Sequence, residues 1–174
     1  IQGVRFWSTQ TREKARHYEH KEIGYNYRMS NILAGIGRGQ LKVLDERIKE
    51  KTEIYNQYKE AFATITDIKM QPVPVNTVPN HWLSVITIDK QSKVKPLDII
   101  EKLEKENIET RPVWKPMDLQ PVFKEYDFIT ASIDNQSVGK ELFETGVCLP
   151  SDTKMTKEEQ DVVIQNIKEL FECN

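Results

Sequence analysis

Long apolar runs are missing from this chain. No stretch approaches the roughly 20 residues a membrane helix needs, and the N-terminal residues lack the apolar core of a signal peptide. Cysteine is scarce. Cys148 sits in a short apolar run and Cys173 at the far end, which gives neither metal-ligand spacing nor a disulfide framework. The three histidines, His17, His20 and His81, share no spacing suited to zinc. A Gly-rich phosphate loop, a Cys-His pair and a Gly-x-Ser-x-Gly elbow are likewise missing. Charge of one sign is not concentrated anywhere: the formal net charge is −2 with signs interspersed, so no basic surface for nucleic acid is built. These absences leave a reduced, cytoplasmic protein as the expectation, with no nucleic-acid or membrane partner.

What is present reads as an ordinary folded chain. Its 174 residues suit one domain, or one domain plus an extension. The segment 1–22 is polar and mixed, with a charged helical stretch expected at most near Thr11 to Tyr18. From Ser30 to Phe62, apolar residues recur at three- and four-residue steps: Ile32, Leu33, Ile36, Val43, Leu44, Ile48, Ile54, Tyr58 and Phe62. Either one long helix or two helices breaking near Lys51 fits this pattern. Gly35, Gly37 and Gly39 fall within it at a cost of about 0.8–1 kcal/mol each relative to alanine. Close approach of another backbone, or a local kink, would account for them.

Beyond Phe62 the period shortens. Ile68 to Val75, broken by Pro72 and Pro74, predicts an edge strand or loop. His81 to Ile88 predicts a strand. Pro96 opens a helix to about Glu106, with Asn107 as its C-cap. Ile108 to Val113 predicts another strand, leading into a Pro-rich loop with Trp114, Pro116 and Pro121. Ser137 to Glu144 predicts a helix stopped by Gly146, followed by a brief strand at Val147 to Leu149. Thr156 and Glu159 form a capping box for a closing helix to Phe171. The fold class is α/β: a long N-terminal helix and a small sheet covered by helices on one face.

The chemistry concentrates in Gly24-Tyr25-Asn26-Tyr27-Arg28-Met29-Ser30-Asn31, which runs straight into the first helix. Ser30 is suited to cap that helix, whose free N–H groups and dipole favour an anion. Asn26 offers an uncharged amide donor, or else serves as a turn residue tolerating positive φ. Arg28 offers a planar fork for a phosphate, or else a surface ion pair with Glu22 or Asp45. Tyr25 and Tyr27 read either as core aromatics or as stacking groups. Arg111 and Trp114 stand in a loop-end position where ligand-binding groups often occur. Asp45, Glu46, Glu50 and Glu53 read as a solvated helix face.

GYNYRMSN, followed by AGIGRGQL and LDERI, resembles the signature of the DegT-type sugar-nucleotide aminotransferases. TRPVWKPMDLQPVF at 110–123 and GVCLPSDTKMTKEEQDVVI at 146–164 extend the resemblance over most of the chain. It implies an enzyme of the aspartate-aminotransferase-like fold using pyridoxal phosphate, with residues 1–29 as connector and active-site loop and 30–174 as the C-terminal small domain with its linking helix. It implies that Asn26 contacts the cofactor phosphate across a homodimer interface, and Arg28 beside it is assigned to cofactor binding, with a phosphate of the nucleotide-sugar substrate as the alternative. Tyr25, Tyr27, Arg111 and Trp114 then fall to substrate binding. The substrate implied is a nucleotide-linked keto sugar and the donor glutamate, in the making of surface polysaccharides or glycans. Related enzymes dehydrate sugars instead, and a non-catalytic module binding a sugar nucleotide or a protein is a further alternative. The family's Schiff-base lysine lies in a preceding large domain, which 23 residues before Gly24 cannot hold. The expectation is therefore the C-terminal part of such an enzyme, with no catalytic residue of its own and no metal. Relatives often carry histidine where Asp118 stands.

Overall fold

A computed structural model describes residues 2–130 and 137–172. Cys173 lies outside the described residues. The chain divides into two compact units, Ile1–Leu44 and Asp45–Asn174.

In the first unit, helix α1 covers Gln2–Ser8 and helix α2 covers Asn31–Leu41. The helix expected near Thr11 to Tyr18 does not form. Thr11 takes a left-handed conformation, and an Arg12↔His20 bridge with Glu13 N donating to Glu19 O folds this stretch back on itself. Its charges carry no apolar stripe to bury, so helix there would have nothing to pack.

Helix α3 covers Leu44–Ala61. The helical run thus breaks at Lys42 and Val43, not near Lys51. Lys42 N donates to Gly39 O and Val43 N to Gln40 O, tightening the last turn of α2. The three glycines just upstream lower helical persistence there.

The second unit is built on a four-stranded antiparallel sheet of β1 (Ile68–Met70), β2 (Ser84–Ile88), β3 (Arg111–Pro112) and β4 (Gly146–Leu149), ordered β1-β2-β4-β3. Prolines after β1 and within β3 are tolerated because both strands are edges. The expected strand Ile108 to Val113 shrinks to two residues for that reason. Helices α4 (Pro96–Lys105), α5 (Val138–Thr145) and α6 (Lys157–Glu172) complete the unit. The cap of α4 is Glu106, and Asn107 follows it with φ 58°, the left-handed exit that asparagine accepts.

The pleat sorts the strands. Ile86 and Ile88 of β2 and Val147 and Leu149 of β4 point into a core filled by Ile54, Tyr58 and Phe62 of α3, Ile99 and Leu103 of α4, and Val163, Ile164 and Ile167 of α6. Ile86, Ile99, Leu103 and Ile167 are fully buried, each stabilising by about 1.5–3 kcal/mol. Polar groups entering this core are paired: Tyr58 Oη donates to Pro150 O at 2.9 Å and Gln160 Nε2 to Ile54 O at 2.9 Å. Burial raises the Tyr58 pKa.

The opposite face carries Val85, Thr87, Gly146, Cys148 and Arg111. α5 meets the sheet at Gly146, where it runs directly into β4. A Cβ on Gly146 would come within 2.5 Å of Leu142 O and Val113 Cγ2.

Candidate functional site

The GYNYR segment is pinned to the end of α1 and the residues that follow it. Tyr25 N donates to Trp7 O at 2.7 Å, Gln10 N to Tyr25 O at 3.0 Å, and Tyr27 N to Ser8 O at 3.0 Å, with a Thr9↔Asn26 antiparallel bridge between them. Gly24 permits this approach. A Cβ there would meet the Gln10 carbonyl carbon at 2.5 Å and Thr11 N at 2.6 Å. Ser30 caps α2, its Oγ accepting from Leu33 N at 3.2 Å.

The loop's backbone is therefore fixed while its functional side chains stay free. Asn26 and Arg28 are exposed, and among the described residues neither the amide nor the guanidinium has a hydrogen-bond or ion-pair partner. The turn role considered for Asn26 fails, since its φ is not positive. Glu22, one possible ion-pair partner of Arg28, instead accepts from Trp7 Nε1 at 2.9 Å. Tyr25 and Tyr27 do not enter a core; they stack on each other at 5.4 Å and are 53% and 76% exposed. Gly35, Gly37 and Gly39 have open space where a Cβ would stand, and Ile32, Leu33 and Ile36 beside them are exposed. The close backbone approach expected there is absent among the described residues.

In the second unit, Arg111 directs Nε and Nη2 onto Glu109 Oε1 at 2.8 and 2.6 Å, with both side chains exposed. Trp114 does not close the core. It stacks on Trp82 with centroids 5.9 Å apart, and both indoles are more than three-fifths exposed. Asp118 lies half-buried in a short 3-10 turn at Met117–Leu119.

Trp82 was not singled out by its sequence, because nothing in HWLSVITI separates a platform residue from a strand residue. Its peptide is held on both sides: Trp82 N donates to Asn80 Oδ1 at 3.1 Å, and Lys51 Nζ donates to Trp82 O at 3.3 Å. Lys51 also donates to Ser151 O. His81, just before it, is buried with φ 45° and stacks on Tyr55. Thr11 was also missed. Its importance depends on a left-handed backbone that sequence does not announce.

Comparison with known proteins fits these features. The model of the DegT/DnrJ/EryC1/StrS aminotransferase family matches residues 3–168. The chain is 44% identical over 171 residues to the putative pyridoxal phosphate-dependent aminotransferase EpsN of Bacillus subtilis, covering 98% of this chain and 43% of that protein. It is 29% identical to the GDP-perosamine synthase of Escherichia coli O157:H7, covering 90% of this chain and 40% of that one. Among solved structures, the putative sugar aminotransferase Spr1654 of Streptococcus pneumoniae superposes with a TM-score of 0.81 at 23% identity, covering 97% of this chain and 44% of that one. Helicobacter pylori PseC, an aminotransferase of pseudoaminic acid biosynthesis, superposes with a TM-score of 0.80 at 19% identity, covering 98% and 45%. The chain spans about two-fifths of the length of these relatives. The family match over nearly the whole chain shows that the chain belongs to the DegT/DnrJ/EryC1/StrS aminotransferases.

Proposed function

We propose that this chain is the C-terminal part of a pyridoxal-phosphate-dependent aminotransferase acting on a nucleotide-linked keto sugar. Glutamate is the amino donor and the working enzyme a homodimer with shared sites. Residues 1–29 form the connector and active-site loop, and 30–174 the small domain with its linking helix. The observation that carries this reading is the unpartnered pair Asn26 and Arg28 on a backbone locked by the bridge to Thr9.

That pair fits a phosphate. A neutral amide donates one hydrogen bond without adding charge, while a guanidinium supplies paired donors and the countercharge. Ser30 Oγ accepts from Leu33 N as the helix cap, while the Asn26 amide and the Arg28 guanidinium have no partner among the described residues and can turn their donors to a phosphate. Pyridoxal phosphate, when bound, supplies the electron sink through which the amino group passes. The residues here bind and orient. Arg28 and Asn26 fix the phosphate end, and the stacked Tyr25 and Tyr27 offer a flat wall to the sugar. Arg111 faces anionic substrate: its exposed pair with Glu109 contributes on the order of 0–1 kcal/mol, so a diphosphate competes for the same fork. Trp82 and Trp114 present an indole platform to sugar or base.

The substrate class draws support from the relatives. They include GDP-perosamine synthases, a dTDP-4-amino-4,6-dideoxy-D-glucose transaminase of Escherichia coli and the spore coat polysaccharide biosynthesis protein SpsC of Bacillus subtilis. The homodimer is supported by the exposed apolar side of α2 at Ile32, Leu33 and Ile36. The test is an assay of the whole protein with glutamate and a panel of nucleotide-linked keto sugars that differ in the position of the keto carbon. Formation of 2-oxoglutarate in step with an amino sugar is expected; a cofactor-loaded protein that yields neither across the panel overturns the reading. This chain by itself is expected to show no turnover.

A further inference from the structure

Among the described residues Thr11 is the one β-branched residue with positive φ. Gln10 and Thr11 follow each other in the left-handed region, with φ 69° and 51°. For a β-branched residue this conformation is an outlier, and it persists only where the surroundings over-determine it. Here they do. Thr11 is completely buried in a unit most of whose side chains are exposed. Its hydroxyl lies 2.7 Å from both Glu22 O and Gln10 O, and its amide donates to Phe6 O at 3.0 Å. Glycine would take this conformation with less strain. Threonine adds the hydroxyl that ties Glu22, two residues before Gly24, to the clamp.

We propose that Thr11 is a positioning residue for the Asn26–Arg28 loop. Gly24 lies on the Gln10–Thr11 peptide at a distance no side chain allows, so the place of Thr11 sets the place of Gly24. From there the main chain is bonded at Tyr25 and Tyr27, the two neighbours of Asn26, to Trp7, Ser8 and Gln10. Thr11 touches neither cofactor nor substrate; it acts by holding Asn26 and Arg28 at one position relative to Gln10. This rests on the reading that these two side chains hold the cofactor phosphate.

The test is a double-mutant cycle in the holoenzyme, read as the pyridoxal phosphate dissociation constant and as the melting temperature of the cofactor-free protein. Thr11→Ala and Gly24→Ala perturb the clamp from its two sides, so one remains informative if the other fails to fold. Each is expected to raise the dissociation constant about tenfold, the loss of roughly one hydrogen bond's worth of fixation. Thr11→Ser, which keeps the hydroxyl, is expected to stay near wild type. In a background carrying both Asn26→Ala and Arg28→Ala the same changes should add less than about twofold, since the groups they position are gone. An unchanged constant for Thr11→Ala and Gly24→Ala while Asn26→Ala weakens binding overturns the positioning role and spares the phosphate reading. A full tenfold effect persisting in that doubly substituted background also overturns it. An Asn26→Ala protein that holds the cofactor as wild type does overturns both.

Discussion

The rings of Tyr55 and His81 stack with centroids 4.1 Å apart and 25° between their planes, burying an imidazole whose Nδ1 has no hydrogen-bond partner among the described residues. Tyr55 is itself fixed by donation from Oη to Gln71 O at 2.9 Å. Burial holds the His81 pKa below its ordinary 6.5, so the fold favours the neutral ring. Between that lowered value and 6.5 the unfolded chain binds more protons than the native one. The contribution is therefore intact above 6.5 and is lost as pH falls below it. His81→Asn keeps a residue that accepts the left-handed backbone and removes the titration. The melting temperature is expected to drop less between pH 7.5 and 5.5 in this variant than in wild type; equal drops contradict the assignment.

Gly146 joins α5 directly to β4 with no room for a methyl group. Gly146→Ala forces its Cβ against Leu142 O and Val113 Cγ2, and the backbone carbonyl has little freedom to yield. A loss of about 1–3 kcal/mol is expected, measured by urea denaturation. An unchanged midpoint contradicts the tight junction.

Trp82 and Trp114 lie outside the core, so neither is needed for folding. Trp82→Ala or Trp114→Ala is expected to cost about 0.5–1.5 kcal/mol of stability at most, the worth of the stacked pair. Each should raise KM for the nucleotide sugar and leave the cofactor dissociation constant unchanged. Unaltered steady-state kinetics in both variants would remove the platform from the substrate site.

The second unit was largely legible in the sequence. Its signals are local: Pro96 at a helix start, the Thr156–Glu159 capping box formed reciprocally at 2.8 and 3.2 Å, and β-branched residues at Ser84–Ile88. The first unit was read less well. α1 gave no capping signal, and the fold-back at Arg12 and His20 depends on a left-handed Thr11 that residue preference argues against. The break at Lys42 and Val43 escaped notice because neither residue is a helix breaker. Of the candidate site, residue types and the Ser30 cap were readable. The stacking of Trp114 on Trp82 joins residues 32 positions apart and becomes visible only in three dimensions.

The central claim is that Asn26 and Arg28 serve the cofactor phosphate from one subunit in the site of another. Losing a hydrogen bond to a charged group costs about 1.5–3 kcal/mol, so Asn26→Ala alone should weaken cofactor retention by roughly 10- to 150-fold. The most direct test mixes whole enzyme carrying Asn26→Ala with whole enzyme lacking the cofactor-bearing lysine, under conditions where subunit exchange is demonstrated. With shared sites, each mixed dimer contains one site having both native groups, and activity is expected to return on mixing. Parents that exchange subunits at limiting cofactor and show no gain over the average of their separate activities would contradict the account.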